Sequence, residues 1–139
     1  MFKIGKIENV DNEKLDIYYV THEHCRFENG KTISEVIKTL AFEISGKDYV
    51  FSFELNCKME ELLKIPMKEQ VDFSSYVLGG ETWLNIKGLN GIDPEIDIKT
   101  TRYLKNRFII LITFFTDFSY DDNDYSGMIE FSFNLDDYL

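Results

Sequence analysis

The chain has only two cysteines and two prolines, and it lacks a long hydrophobic segment. Cys25 and Cys57 are too few for a disulfide framework. The longest apolar run, residues 108–115 (FIILITFF), is far shorter than the roughly 20 residues of a transmembrane helix. Nothing after Met1 resembles a signal peptide. We therefore expect a reduced, cytoplasmic protein that does not enter a membrane.

Basic residues are absent from the C-terminal part of the chain. Arg107 is the last basic residue of the chain. The residues that follow it include seven acids, namely Asp117, Asp121, Asp122, Asp124, Glu130, Asp136 and Asp137. The formal net charge of the whole chain is -10. A negative field of this kind repels phosphate backbones and anionic lipids and attracts basic proteins. The sequence therefore disfavours direct nucleic-acid binding and predicts a basic protein partner.

Aromatic residues are abundant, at 15% of the chain, and they pack well on a pleated strand surface. No linker, repeat or low-complexity segment divides the chain, so we expect one domain over residues 1–139. The predicted fold is α+β and mostly β. It is an antiparallel meander sheet or a partly closed barrel, with one short helix packed on a face.

The clearest hairpin joins residues 36–44 to residues 49–55, because apolar and polar side chains alternate on both sides of a turn containing Gly46. Another hairpin is predicted from residues 1–10 and 14–20. Asn56 can cap a helix that begins at Cys57, and its apolar stripe consists of Met59, Leu62 and Leu63. Residues 96–104, 107–116 and 127–135 are predicted to form a three-strand meander.

Two histidines offer a candidate metal site. His22 and His24 are two positions apart, so on a strand they point to the same side and could share an ion as neutral imidazoles. Cys25 would point to the opposite side of the strand. Cys57 could be a third ligand, but the sequence does not indicate its position relative to the histidines. The alternative is that both histidines are ordinary strand-edge or loop residues, and no nucleophile or catalytic residue is predicted.

A second metal candidate is the acidic segment 122–127 (DNDYSG), which matches the first half of a calcium-binding loop. The position of the required bidentate Glu holds Phe133, which excludes an EF-hand. A weaker calcium site using Asp121, Asp122 and Asp124 is one interpretation. A solvated turn rich in Asp, Asn and Gly is the other. No cofactor is predicted.

The only basic cluster comprises Lys99, Arg102, Lys105 and Arg107. These residues are expected to face water or to pair with the acidic C-terminal segment. Aromatic anchors occur beside that segment, and such residues are favoured at protein interfaces. The predicted partner-binding surface consists of Tyr120, Asp121, Asp122, Asp124, Tyr125, Asp136, Asp137 and Tyr138.

The predicted function is that of a non-enzymatic acidic interaction protein, such as an inhibitor, an immunity protein or an assembly factor, that binds a basic protein surface. The richness in Ile, Lys, Asn, Phe and Tyr is typical of small accessory proteins of bacteria or phages with AT-rich genomes. One alternative is a barrel-like domain that binds an apolar small molecule between the sheet and the helix. Another is a metal-binding protein or enzyme that uses His22 and His24. Self-association through an edge strand stays open.

Overall fold

The computed structural model describes residues 2–7, 15–46, 49–86, 89–118 and 124–138. These residues form nine strands, one short α-helix and two 3₁₀ turns, at Ser74–Tyr76 and Leu135–Tyr138. In chain order the elements are β1 (Phe2–Ile7), β2 (Leu15–Glu28), β3 (Lys31–Ser45), β4 (Tyr49–Leu55), α1 (Met59–Leu63), β5 (Gln70–Asp72), β6 (Trp83–Ile86), β7 (Leu89–Leu104), β8 (Arg107–Phe118) and β9 (Asp124–Asn134). The predicted mostly β fold with one short helix is confirmed.

The strands form two sheets that are antiparallel except for the β1–β9 pair and that do not close into a barrel. The first sheet has the order β2-β3-β4-β6, and the second has the order β7-β8-β9-β1 with β5 on the other side of β7. The first residues of β7 pair with β6 and the rest of the strand pairs with β8, so β7 links the two sheets. The predicted hairpin of β3 and β4 and the predicted meander of β7, β8 and β9 are both confirmed.

The predicted first hairpin is wrong. β1 pairs with β9, and this pair is parallel, whereas β2 pairs along its whole length with β3. The proposed turn at Asp11 and Asn12 lies outside the described residues. The actual partner of β2 follows the two-residue turn at Asn29 and Gly30. Both residues have positive φ angles, of 51° and 77°, as hairpin turns of this kind require.

Phenylalanine side chains hold the two sheets together. The ring of Phe42 stacks on Phe53 of the same sheet, with their centroids 5.0 Å apart, and meets Phe131 and Phe133 of the second sheet at 6.4 and 6.1 Å. All four side chains are almost completely buried. The core is therefore an interdigitated layer between two sheet faces, as period-two alternation predicts.

The helix contributes Met59 and Leu62 to this core. It begins two residues later than predicted, with Lys58 rather than Asn56 at the N-cap position and without a side-chain cap, and Leu63 is exposed. The hydroxyl of Tyr19 accepts a hydrogen bond from the amide of Met59, which ties the helix to β2. Among the described residues, no helix has the length and apolar character needed to cross a bilayer.

Beyond the core, β2 and β3 continue as a two-stranded arm, defined here as residues 21–38. None of these side chains is buried. Two of them are large, apolar and largely exposed, namely Phe27 at 78% and Val36 at 70%. Since an isolated hairpin is marginally stable in water, the arm depends on the sheet from which it extends.

Candidate functional site

The first sheet turns one face away from the core, and that face carries a distinctive set of side chains. Its strands alternate, so Leu40 and Phe42 enter the core while Thr39, Ala41 and Glu43 point the other way. Register then places the outward residues in rows. One row runs Trp83, Ser52, Glu43, Asp16, and the next runs Glu54, Ala41, Tyr18.

A buried carboxylate lies on this outward face. Glu54 of β4 receives a hydrogen bond from the hydroxyl of Thr39, and its Oε1 also lies 2.6 Å from Nε2 of His22. The side chains of Glu54 and His22 are only 11% and 21% exposed. Glu81, from the segment before β6, completes the group, and the ligand atoms of His22, Glu54 and Glu81 all lie within 4.8 Å of one another.

The electrostatics of this group favour ionised side chains. Burial pushes the pKa of Glu54 upward, but the hydrogen bonds from Thr39 and His22 outweigh burial and hold the pKa below its usual value. The hydrogen bond to Glu54 raises the pKa of His22 above its usual 6.5, against the opposing effect of desolvation. The imidazolium of His22 and the carboxylate of Glu54 therefore stabilise each other.

Exposed aromatic residues surround the carboxylates. Trp83 is 61% exposed and Tyr18 is 44% exposed, and the Tyr18 hydroxyl donates to Glu43 over 3.4 Å. No lysine or arginine occurs in the core-covering parts of the four strands, which are residues 15–22, 39–45, 49–55 and 83–86. We name this surface the acidic–aromatic face and define it by the residues Asp16, Tyr18, Glu43, Glu54, Glu81 and Trp83.

The predicted C-terminal surface is only partly described. Tyr120, Asp121 and Asp122 lie outside the described residues. The backbone of Asp124 and Tyr125 opens strand β9, opposite Asp117 and Thr116. The calcium interpretation of Asp122 and Asp124 stays a prediction.

Asp136, Asp137 and Tyr138 lie in the final 3₁₀ turn, where both aspartates are exposed. Tyr138 is half-buried, packs edge-on against Phe133 and donates its hydroxyl proton to the carbonyl of Leu15 in β2. The turn therefore lies against the edge of the first sheet.

Among the described residues, the predicted basic cluster forms no ion pair with this turn. The Arg102 guanidinium donates to the carbonyls of Leu63, Ile65 and Lys105. Asp136 accepts from the side-chain amide of Asn106, a neutral group. Arg107 and Asp137 line one groove of about 420 Å³, but the ion pairs found among the described residues do not include them.

The other ligands proposed for the two histidines lie apart from them. His24 points to the same side as His22, and their ring centroids are 6.3 Å apart. Cys25 is exposed on the opposite side of the strand, and Cys57 is buried in the core. The structure thus gives His22 two glutamates as neighbours, whereas the predicted pair was His22 with His24.

Sequence reasoning missed Thr39, Glu54 and Glu81. Glu54 is 32 positions from His22 along the chain, and only the order β2-β3-β4 brings the two together. The one available signal was a glutamate in a strongly alternating strand, which placed Glu54 on the outward face without a partner.

The apolar-ligand hypothesis predicts a cavity between the sheet and the helix, and the grooves found among the described residues lie elsewhere. Grooves of about 260 to 420 Å³ are lined by residues of β5, β7, β8, β9 and the C-terminal turn, and α1 lines none of these.

Comparison with protein-family models, with curated proteins and with solved structures finds no match to this chain. The functional argument therefore depends on the residues themselves.

Proposed function

We propose that this protein is a non-enzymatic interaction protein that binds a basic protein surface through the acidic–aromatic face. The observation that carries the proposal is the combination on one sheet face of exposed Trp83 and Tyr18 with Glu43, Glu54 and Asp16. Glu54 is paired with His22, whereas the absence of lysine and arginine from the same strand segments leaves the carboxylates of Glu43 and Asp16 to attract cations from outside.

The negative surface continues around the edge of the first sheet. The Tyr138 hydroxyl donates to the backbone carbonyl of Leu15, the residue before Asp16 of the acidic–aromatic face. The C-terminal turn predicted from the sequence as a partner surface therefore adjoins the acidic–aromatic face. A basic partner would meet one continuous field, which speeds association and makes it sensitive to salt.

The aromatic side chains provide the contact area. A lysine or arginine over an indole or phenol ring gains about 0.5 to 2 kcal/mol, and Trp and Tyr are enriched among residues that dominate binding energy. Trp83 lies next to Ser52, beyond which Glu43 follows in the same row. A cationic side chain placed there would touch a ring and reach a carboxylate at once.

The proposal assigns the protein to the cytoplasm, since both cysteines are free thiols.

Partner capture on the immobilised protein, quantified by mass spectrometry at low and high salt, tests the binding function. Trp83→Ala is expected to weaken capture of the specific partner by about 30-fold, the effect of losing a dominant interface residue. Glu43→Gln is expected to reduce capture mainly at low salt.

Two variants on the second sheet serve as controls. Leu104→Ala removes an exposed apolar side chain, and Glu95→Gln removes an exposed carboxylate, both away from the acidic–aromatic face. Both should capture the partner as the wild type does. Equal capture by Trp83→Ala and Leu104→Ala would contradict the assignment of the binding face.

A further inference from the structure

We propose that His22, Glu54 and Glu81 bind one divalent transition-metal ion, for which zinc is the best-fitting candidate. Their ligand atoms lie within 4.8 Å of one another. Two ligands bound to one zinc ion at the usual 2.0 to 2.2 Å lie roughly 3.4 Å apart. The His22 and Glu54 atoms, now at 2.6 Å, need separate by less than about 1 Å to admit the ion.

The charges of the cluster favour a divalent ion. Two carboxylates meet one imidazole, so a protonated His22 compensates only one of two negative charges. Lys38, which precedes Thr39 in β3, lies over the ring of Tyr19, and the ion pairs found among the described residues join no lysine or arginine to Glu54 or Glu81. A divalent ion balances both carboxylates and leaves His22 neutral, which is the form that binds metal through nitrogen.

The ligands are held in place by their surroundings. The buried hydroxyl of Thr39 donates to Glu54 at 2.6 Å, the kind of outer contact that orients a metal-binding carboxylate. The amide of Leu78 donates to the backbone carbonyl of Glu54 at 2.9 Å, and the amide of Glu81 donates to the carbonyl of Leu78 at 3.4 Å. This chain of bonds anchors the segment that carries Glu81 beside β4.

One nitrogen and two carboxylate oxygens define the class of ion. Calcium and magnesium prefer sets made of oxygen alone, whereas imidazole with carboxylates suits zinc, manganese, iron or cobalt. Glu81 is exposed, so the site opens to solvent on its side and a water molecule can take a further position. His24 is not a member of the cluster, although its ring lies near that of His22.

Titration of metal-free protein with zinc chloride, followed by calorimetry, tests the proposal. All proteins carry Cys25→Ser, because an exposed thiol binds zinc independently. We expect one zinc ion per chain. His22→Gln and Glu81→Gln should each weaken binding by at least about tenfold, and Thr39→Val should weaken it by about tenfold through the lost orienting bond.

Matched controls are Glu43→Gln and His24→Gln, which change the same sheet face outside the cluster and should leave zinc affinity unchanged. Glu81 is exposed, so its substitution does not disturb the core, and circular dichroism checks each fold. In the protein that carries Cys25→Ser alone, zinc should shift the NMR signals of the His22 ring by more than those of His24.

Three outcomes would overturn the zinc proposal: no saturable binding by the protein that carries Cys25→Ser alone, unchanged binding after Glu81→Gln is added, or loss of binding only when His24→Gln is added. None of them touches the docking proposal, whose test depends on Trp83 and Glu43.

Discussion

Thr39 and Thr100 are both fully buried, but their hydroxyls differ in one respect that predicts opposite mutational effects. Thr39 donates to the carboxylate of Glu54 at 2.6 Å. The hydroxyl oxygen of Thr100 has no hydrogen-bond partner among the described residues. Replacement by Val keeps the shape of each side chain and exchanges the hydroxyl for a methyl group.

The expected magnitudes follow from hydrogen-bond energetics. Thr39→Val removes a bond to a charged acceptor and should lower the free energy of unfolding by about 1.5 to 3 kcal/mol. Thr100→Val removes a buried polar group that gains nothing in return, so it should raise stability by about 1 kcal/mol. For a chain of this size, 1 kcal/mol shifts Tm by roughly 3 to 4 °C. Thr39→Val should therefore melt roughly 5 to 10 °C lower and Thr100→Val roughly 3 °C higher.

Thermal and urea denaturation at neutral pH measure the difference. Each variant is the control for the other, since both replace a buried threonine in a strand. Equal destabilisation by the two substitutions would refute the assignment of Thr39 as a support of the Glu54 carboxylate. The loss of stability in both variants would then have to be attributed to altered packing at the two sites.

Three further predictions concern pH, thiols and a turn. Because the pKa of His22 is raised in the folded state, its contribution to the free energy of unfolding is complete below pH 6.5 and is lost as the pH rises through the folded-state pKa. Because the pKa of Glu54 is lowered, its contribution is present above pH 4.5 and is lost as the pH falls through the folded-state pKa. Stability measured against pH should therefore lose its decline above pH 6.5 in His22→Gln. Burial raises the pKa of Cys57 to about 12 while Cys25 is exposed, so a thiol reagent should modify one cysteine in the native protein and two in guanidinium. Gly30→Ala meets no clash, but at φ +77° it should cost about 1 kcal/mol and speed amide hydrogen exchange within the arm, and unchanged exchange would contradict the strain argument.

The fold was predictable where the relevant signal is local. Alternation in β3, β4 and β9 placed Phe42, Phe53, Phe131 and Phe133 on core faces, and all four are almost completely buried. A strand pattern records which side chains are apolar at period two, and nothing more is needed to assign a face. Turns rich in Gly or Asn then fixed which of these strands are neighbours.

Pairing between distant segments was not predictable. The residues of β1 resemble a strand but do not encode that its partner is β9, at the other end of the chain. The same limit applies to the site. The sequence predicts His22 and His24 as a candidate metal pair, whereas Glu54 and Glu81 become neighbours of His22 only after the first sheet assembles.

The two proposals meet at Glu54 and Glu81, and this overlap has a physical consequence. A bound divalent ion would cancel two negative charges of the acidic–aromatic face and fix the Glu81 segment, while Glu43, Asp16 and the rings of Trp83 and Tyr18 would keep their exposure. A partner that contacts mainly the carboxylates of Glu54 and Glu81 would bind less tightly when zinc is present, whereas a partner that contacts Trp83 and Glu43 would bind equally well. The effect of zinc on partner capture therefore shows where the basic side chains of the partner bind on this face. If zinc lowers capture, they bind beside the His22 cluster, and if it does not, they bind along the row of Trp83 and Glu43.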